Sequence, residues 1–227
     1  MVFFFLALRI DGRFVVFESR ADNLIGNNRS SSDQNTAIDI FVRDTLLQET
    51  FRVSISNNTG QEGDGDSTNG VITACGTKVV FLSAATNLVE NEPLATPGII
   101  HVYVRDLVKK TTSRLSVSNA GVQANANSMR PHIDASGSFV VFDSSASNLI
   151  VGQVVAVNSV YLYDIVHSNL SLLTPSINKT LFASDGNSDT AFVAPMGAFV
   201  VYASSKLENE REIQERERER ERFKRER

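Results

Sequence analysis

A seven-residue stretch of this chain occurs four times, and that recurrence limits the possible folds more than any local propensity does. The copies are Asp11-Gly12-Arg13-Phe14-Val15-Val16-Phe17, Cys75-Gly76-Thr77-Lys78-Val79-Val80-Phe81, Ser136-Gly137-Ser138-Phe139-Val140-Val141-Phe142 and Met196-Gly197-Ala198-Phe199-Val200-Val201-Tyr202. Their glycines are 64, 61 and 60 residues apart. The repeat extends past this stretch. Ser19…Asn23-Leu24 matches Ser83…Asn87-Leu88 and Ser144…Asn148-Leu149, and Arg52-Val53-Ser54 matches Arg114-Leu115-Ser116, with Leu172-Leu173-Thr174 in the third copy. Ser67, Ser128 and Ser188 stand at one fixed distance before the next glycine, and Ile72, Ile133 and Val193 at another.

Each repeat reads as four short strands. The first ends at Ile72 or Ile133 and turns at the glycine, which takes the positive φ of a tight hairpin without a Cβ clash. The second is the Phe-Val-Val-Phe run, apolar on both faces, as a strand covered by sheets on both sides must be. The third is 40–42, 102–104 or 160–163, and the fourth 51–55, 114–117 or 171–173. Tandem four-stranded antiparallel units describe the blades of a β-propeller, an all-β fold. Phe17, Phe81, Phe142 and Tyr202 are expected at equivalent buried positions between blades.

The pattern Asp-Gly-Arg-Phe-Val-Val-Phe…Ser…Asn-Leu…Asp-Ile-Phe-Val-Arg-Asp…Arg-Val-Ser resembles the TolB-like, WD-type propeller repeats of bacterial exported proteins, over residues from about 8 to 205. The resemblance implies a propeller and export to the periplasm or outside the cell. It implies no particular activity, since propellers host many. The family's Asp before the turn glycine survives only as Asp11, and its first-strand Pro only as Pro131.

The blades fall at about 4–55, 70–117 and 130–174, with half a blade at 190–204, inside a unit spanning 1–205. About three and a half blades make an incomplete ring, since propellers have about four to eight. The expectation is a piece of a longer propeller that associates with itself when expressed alone. The apolar start, Met1 to Leu8, lacks a basic leader and is too short to span a bilayer, so residues 4–9 read as the innermost strand of the first blade, with a truncated signal sequence as the alternative. Residues 206–227 form a Glu/Arg low-complexity tail, charged and either helical or disordered.

Formal net charge is −4, which gives no reason to expect a nucleic-acid partner. The single Cys75 excludes an internal disulfide and occupies a turn position. The repeats exceed the usual WD-type length of about 40–45 residues. Their extra length lies in the loop between second and third strands and in the link to the next blade. Both emerge on one rim, where a protein or peptide partner would bind, with the central channel as the alternative place.

That rim carries two acidic clusters in blade one: Asp33, Asn35 and Asp39, and Asp64 and Asp66 between glycines. They are the candidate calcium ligands, because calcium takes six to eight hard oxygens. Ordinary solvated turns of the Asx type are the preferred reading of both clusters. No other cofactor is expected.

His101, His132 and His167 are isolated in sequence, and neither a Gly-x-Ser-x-Gly elbow nor a glycine-rich phosphate loop occurs, so no catalytic constellation is expected. Arg43-Asp44 and Arg105-Asp106 read as structural, pinning the turn after the third strand. Sequons at Asn28, Asn57, Asn169 and Asn178 occur at the frequency that an Asn-, Ser- and Thr-rich chain produces by chance. The expected function is a non-enzymatic binding module. The alternative is the non-catalytic propeller domain of a larger, prolyl-oligopeptidase-like hydrolase.

Overall fold

The structure is a computed structural model and describes residues 6–8, 12–25, 35–57, 60–89, 95–152, 158–174, 188–193 and 200–204. It is all-β: three four-stranded antiparallel blades and one two-stranded sheet, with no helix among the described residues. Blade one holds β1 (Leu6–Leu8), β2 (Phe14–Ser19), β3 (Asp39–Asp44) and β4 (Glu49–Arg52). Blade two holds β5 (Ser67–Ile72), β6 (Lys78–Ser83), β7 (His101–Asp106) and β8 (Thr111–Arg114). Blade three holds β9 (Ser128–Ile133), β10 (Phe139–Ser144), β11 (Ser159–Asp164) and β12 (Asn169–Leu172). The last sheet pairs β13 (Ser188–Val193) with β14 (Val200–Ser204). Strands are paired in chain order within every blade. Asp11, Phe199 and the tail from 206 lie outside the described residues, as does the side chain of Tyr202.

The apolar second strand is the middle of each joint. Because side chains alternate along a strand, one face of β2 and β3 turns Val16, Ile40 and Val42 toward Val79, Phe81 and Tyr103 of blade two. The other face of blade two turns Val80, Leu82, Val102 and Val104 toward Val140, Phe142 and Tyr161 of blade three. Val141 and Val160 then meet Val193 of the last sheet. Phe81 and Phe142 are fully buried and stack on Tyr103 and Tyr161, with ring centroids 5.8 and 5.7 Å apart. Phe17 is buried on the equivalent face of blade one, the face turned away from blade two, stacked on Phe41 at 5.6 Å.

The turn glycine has two reasons to be glycine. Gly76 has φ +71°, and a Cβ there would lie 2.4 Å from the ring of Phe14, which reaches across from blade one. The fourth strand ends earlier than the apolar pattern suggests. Val53 N–H still reaches Ile40 C=O at 2.8 Å, but Ile40 N–H is taken by Ser54 Oγ at 3.0 Å, and Ile55 N–H turns back onto Val53 C=O. A side-chain hydroxyl thus replaces the last rung of the ladder. Leu115 with Ser116, and Leu173 with Thr174, repeat the arrangement.

Two devices escape the strand pattern. The first strand of each later sheet carries a bulge, where the register slips at Asn69-Gly70, Arg130-Pro131 and Thr190-Ala191. Asn69 and Arg130 take φ of 56° and 50° there. At the outer edge, an asparagine after one blade clamps the outer strand of the next. Asn57 Oδ1 accepts from Thr112 N–H at 3.1 Å, and Asn119 both accepts from Leu170 N–H at 2.6 Å and donates to Leu170 C=O at 3.0 Å.

Gly70 sits at the bulge against blade one. A Cβ there would lie 2.7 Å from Val16 Cγ1 and 3.0 Å from Ile40 Cγ2. Pro131 and Ala191 fill the same repeat position, where the residue matching Ile40 is the smaller Val102 or Val160. Ile40 occupies the space that the missing Cβ leaves. Gly70→Ala should therefore cost about 1–3 kcal/mol by overpacking. Adding Ile40→Val should recover part of that, a coupling of roughly 0.5 kcal/mol or more in a double-mutant cycle read by denaturant unfolding. Strict additivity would show that the two groups do not compete for one space.

Candidate functional site

The loop-rich rim brings the candidate ligands of blade one together with their structural partners. Asp39 opens β3 and is fully buried. Ser54 Oγ–H donates to its Oδ1 at 2.5 Å, Arg52 Nε lies 3.3 Å from its Oδ2, and Arg52 also pairs with Glu62 of the blade link. The guanidinium stands 5.5 Å over the Phe41 ring. This is a buried Asp–Arg–Glu circuit that ties the third strand, fourth strand and link.

Asp64 and Asp66 belong to a different set of contacts. Asp64 accepts from Thr86 N–H and Thr86 Oγ–H, both at 2.5 Å, and its own N–H donates to Asn87 Oδ1 at 3.0 Å. Asp66 Oδ1 accepts from Ile38 N–H at 2.7 Å, while Arg20 approaches it at 3.4 Å with both partners largely exposed. The matching residues one blade on are Asn125 and Asn127. Asn125 bonds Ser147 N–H and Oγ at 2.9 Å, and Asn127 Oδ1 accepts from Ile100 N–H at 2.9 Å. A neutral amide keeps the bonds from the backbone N–H groups and turns the side-chain bond round, its Nδ2 donating to Ser147 Oγ where Asp64 accepts from Thr86 Oγ, so a charge is not required for these contacts. The flanking Gly65 follows the same logic: a Cβ there would lie 3.0 Å from the backbone of Ala84 and Ala85, so small size rather than ion wrapping explains it.

Asn35 donates to Gly63 C=O and accepts from Ala37 N–H at 2.6 Å, joining the two loops. Asp33 lies outside the described residues. No group of three or more His, Cys, Asp or Glu that could hold a metal occurs among the described residues. The comparison of Asp64 with Asn125 was available in the aligned repeats. The pairing of Asp39 with Arg52 needed the strand register.

The histidines are placed apart. His101 takes the Asp39 position in blade two, fully buried, sharing a 2.9 Å hydrogen bond between Nδ1 and Ser116 Oγ. Ser116 also accepts from Val102 N–H, as Ser54 does from Ile40 N–H, so the serine of this Ser–His contact is the one that replaces the last rung of the ladder. Burial first, then the charge of Arg114, pushes His101 down to about 4. Arg114 Nη1 donates to Gln123 Oε1 at 2.9 Å, and the same oxygen accepts from Thr96 N–H at 3.2 Å, anchoring the second-to-third-strand loop of blade two. Burial also lowers His132, against the pull of Asp134. His167 is exposed and meets Asp164 at 2.7 Å, which holds that carboxyl below its usual range.

Asp44, Asp106 and Asp164 each accept two backbone N–H bonds from the turn that follows, the structural role expected of the Arg-Asp pairs. Arg43 and Arg105 instead reach across to Thr50 and Thr112, at 3.1 and 3.0 Å. Cys75 is exposed. Burial raises its thiol, but hydrogen bonds with Thr73 and Thr77 outweigh that and hold it below its ordinary range.

The fold defined by these blades is that of a β-propeller. The chain is similar to the crystal structure of the tricorn protease, with a TM-score of 0.53 and 10% identity over 90% of this chain and 15% of that one. A TolB protein of Agrobacterium tumefaciens aligns with a TM-score of 0.48 and 15% identity, over 91% of this chain and 60% of that one. Hydrazine synthase of Kuenenia stuttgartiensis aligns with a TM-score of 0.45 and 15% identity, over 87% and 48%. The chain spans less than two thirds of each of these chains. No protein-family model matches the sequence, and no curated protein does.

Two outcomes follow from this site. His101 is neutral in the fold, so between about pH 6.5 and about pH 4 the unfolded chain binds the extra proton and stability falls with pH. The loss reaches at most about 3 kcal/mol and stops growing below the folded value. His101→Ser, the residue blade three carries as Ser159, should flatten that part of the pH–stability curve measured by urea unfolding; an unchanged slope would mean that His101 titrates normally. For the acidic rim, Asp64→Asn should leave the melting temperature within about 2 °C and unresponsive to millimolar calcium. A calcium-dependent rise that the substitution abolishes would instead establish a metal site by preferential binding to the folded state.

Proposed function

We propose that this chain is a non-enzymatic binding module that holds a protein or peptide on its loop-rich rim. The observation that carries the reading is the way the rim is built. In blades two and three the start of the long loop after the second strand is fastened to the preceding link by a side-chain amide, Asn87 to Glu62 C=O at 3.0 Å and Asn148 to Gln123 C=O at 2.8 Å. Long loops on a rigid frame are where propellers place recognition. Among the described residues of the rim, Asp39, Ser54, Asp64, His101 and Ser116 are engaged in bonds at repeat-equivalent positions, which supports a role without catalysis. The resemblance to TolB-like repeats is in keeping with protein binding and with export.

A second reading rests on the likeness to the tricorn protease, of whose chain this one covers 15%. There the propeller would be a non-catalytic part of a larger hydrolase. Selection of peptides from a display library against the full chain tests the first reading. Bound peptides should lose affinity at least tenfold when 90–94 and 153–157 are replaced by Gly-Ser, with the melting temperature unchanged. Peptides that bind the replaced protein equally well would remove the rim from consideration. An α/β-hydrolase domain with a nucleophile elbow in the adjoining coding sequence would favour the second reading.

A further inference from the structure

The rim opposite the long loops is made of short hairpins in all three blades. Among the described residues seven large hydrophobics are exposed, and four of them, Leu46, Leu47, Val108 and Val166, sit in the hairpins between third and fourth strands. Single exposed apolar residues are ordinary. These recur at one position: two residues after Asp44, Asp106 and Asp164 come Leu46, Val108 and Val166, exposed by 71%, 71% and 69%.

The backbone under them is fixed. In each hairpin the aspartate Oδ1 accepts the N–H of this apolar residue, at 2.9, 3.0 and 2.9 Å, and then that of the next residue. Gln48, Lys110 and Ser168 close the turns with φ of 55°, 58° and 52°. Thr45, Leu107 and Ile165 N–H tie the tips to the neighbouring turns, each at 2.8 Å, through Arg13, Thr77 and Ser138 C=O. The charges are sorted as well. Asp44, Asp106 and Asp164 are folded onto their own turns; Asp44 is further compensated by Arg13, and Asp164 is hydrogen-bonded to His167. Lys109 and Lys110 stand exposed beside Val108, against Glu49 in blade one.

We infer that the hairpin tips form a peripheral docking surface for an anionic lipid bilayer, with Leu46, Leu47, Val108 and Val166 entering the interface and Lys109 and Lys110 meeting the headgroups. A rigid protein partner would need a separate matched socket for each tip. A lipid interface needs none, because it deforms around single apolar side chains and rewards adjacent lysines. The chain has no helix long and apolar enough to cross a membrane among its described residues, and this attachment needs none.

Vesicle co-sedimentation of the full chain tests this, with phosphatidylglycerol/phosphatidylcholine vesicles beside pure phosphatidylcholine. The wild type should pellet with the anionic vesicles at low salt and be released as salt rises. Leu46→Ser, Leu47→Ser, Val108→Ser and Val166→Ser together should weaken binding at least tenfold with the melting temperature unchanged. Lys109→Glu with Lys110→Glu should weaken it on anionic vesicles. Since the Glu/Arg tail is identical in all three proteins, the differences report the tips alone. Wild type left in the supernatant, or a four-serine variant that pellets equally, overturns the proposal. So does a wild-type dimer that the serine variant converts to monomer, which would give the tips to a second copy of the chain.

Discussion

Everything in this structure depends on sheets that are apolar on both faces. A blade whose middle strands bury Val80 on one side and Phe81 on the other is completed only by neighbours on both sides. Burial of that kind contributes about 25 cal/mol for each Å² of apolar surface removed from water, and only packing blade on blade removes it. The hydrogen-bonded ladders decide which strands pair. The joints between blades decide that the array is a propeller, and they place the long loops on one rim and the hairpin tips on the other.

The polar network adapts one template to different chemistry at each joint. Asp39 with Arg52 and Glu62 becomes His101 with Arg114 and Gln123 in the next blade, and Ser159 with Leu172 in the one after. The invariant element is a hydroxyl, from Ser54, Ser116 or Thr174, that takes the N–H left over when the fourth strand turns away. Charge around that hydroxyl can change because the backbone's requirement is met without it. A buried ion pair gives little net stability over a neutral arrangement, which is why the substitution is tolerated.

Much of this was legible in the residues. The glycine spacing and the Val-Val core gave the strand order, and β1 (Leu6–Leu8) lies within the segment assigned to it. The bulges were only partly legible: Asn69, followed by Gly70, is of a type that tolerates positive φ, but Arg130 adopts it with nothing in its residue type to announce it. The fourth strand starts two or three residues before its apolar pattern suggests, because that pattern continues through Val53 and Ile55 after the ladder has stopped. The pairing of Asp39 with Arg52 is not legible in the sequence, because the two are distant along the chain and adjacent only through the pairing of Phe41 with Arg52. The aligned repeats do show Asn125 and Asn127 at the places of Asp64 and Asp66, with the same backbone N–H groups as donors.

The clamps made by Asn57 and Asn119 fix more than the outer strands they touch. Together with Phe14 lying over Gly76 and the apolar layer between, they fasten two consecutive blades at widely separated points along their width. Two plates held that way can neither splay nor rotate about the core contact alone. The angle between neighbours is then set at each joint and does not wait on closure of a ring. Curvature is a local property here, so adding or removing a blade would change the length of the arc and leave its bend as it is.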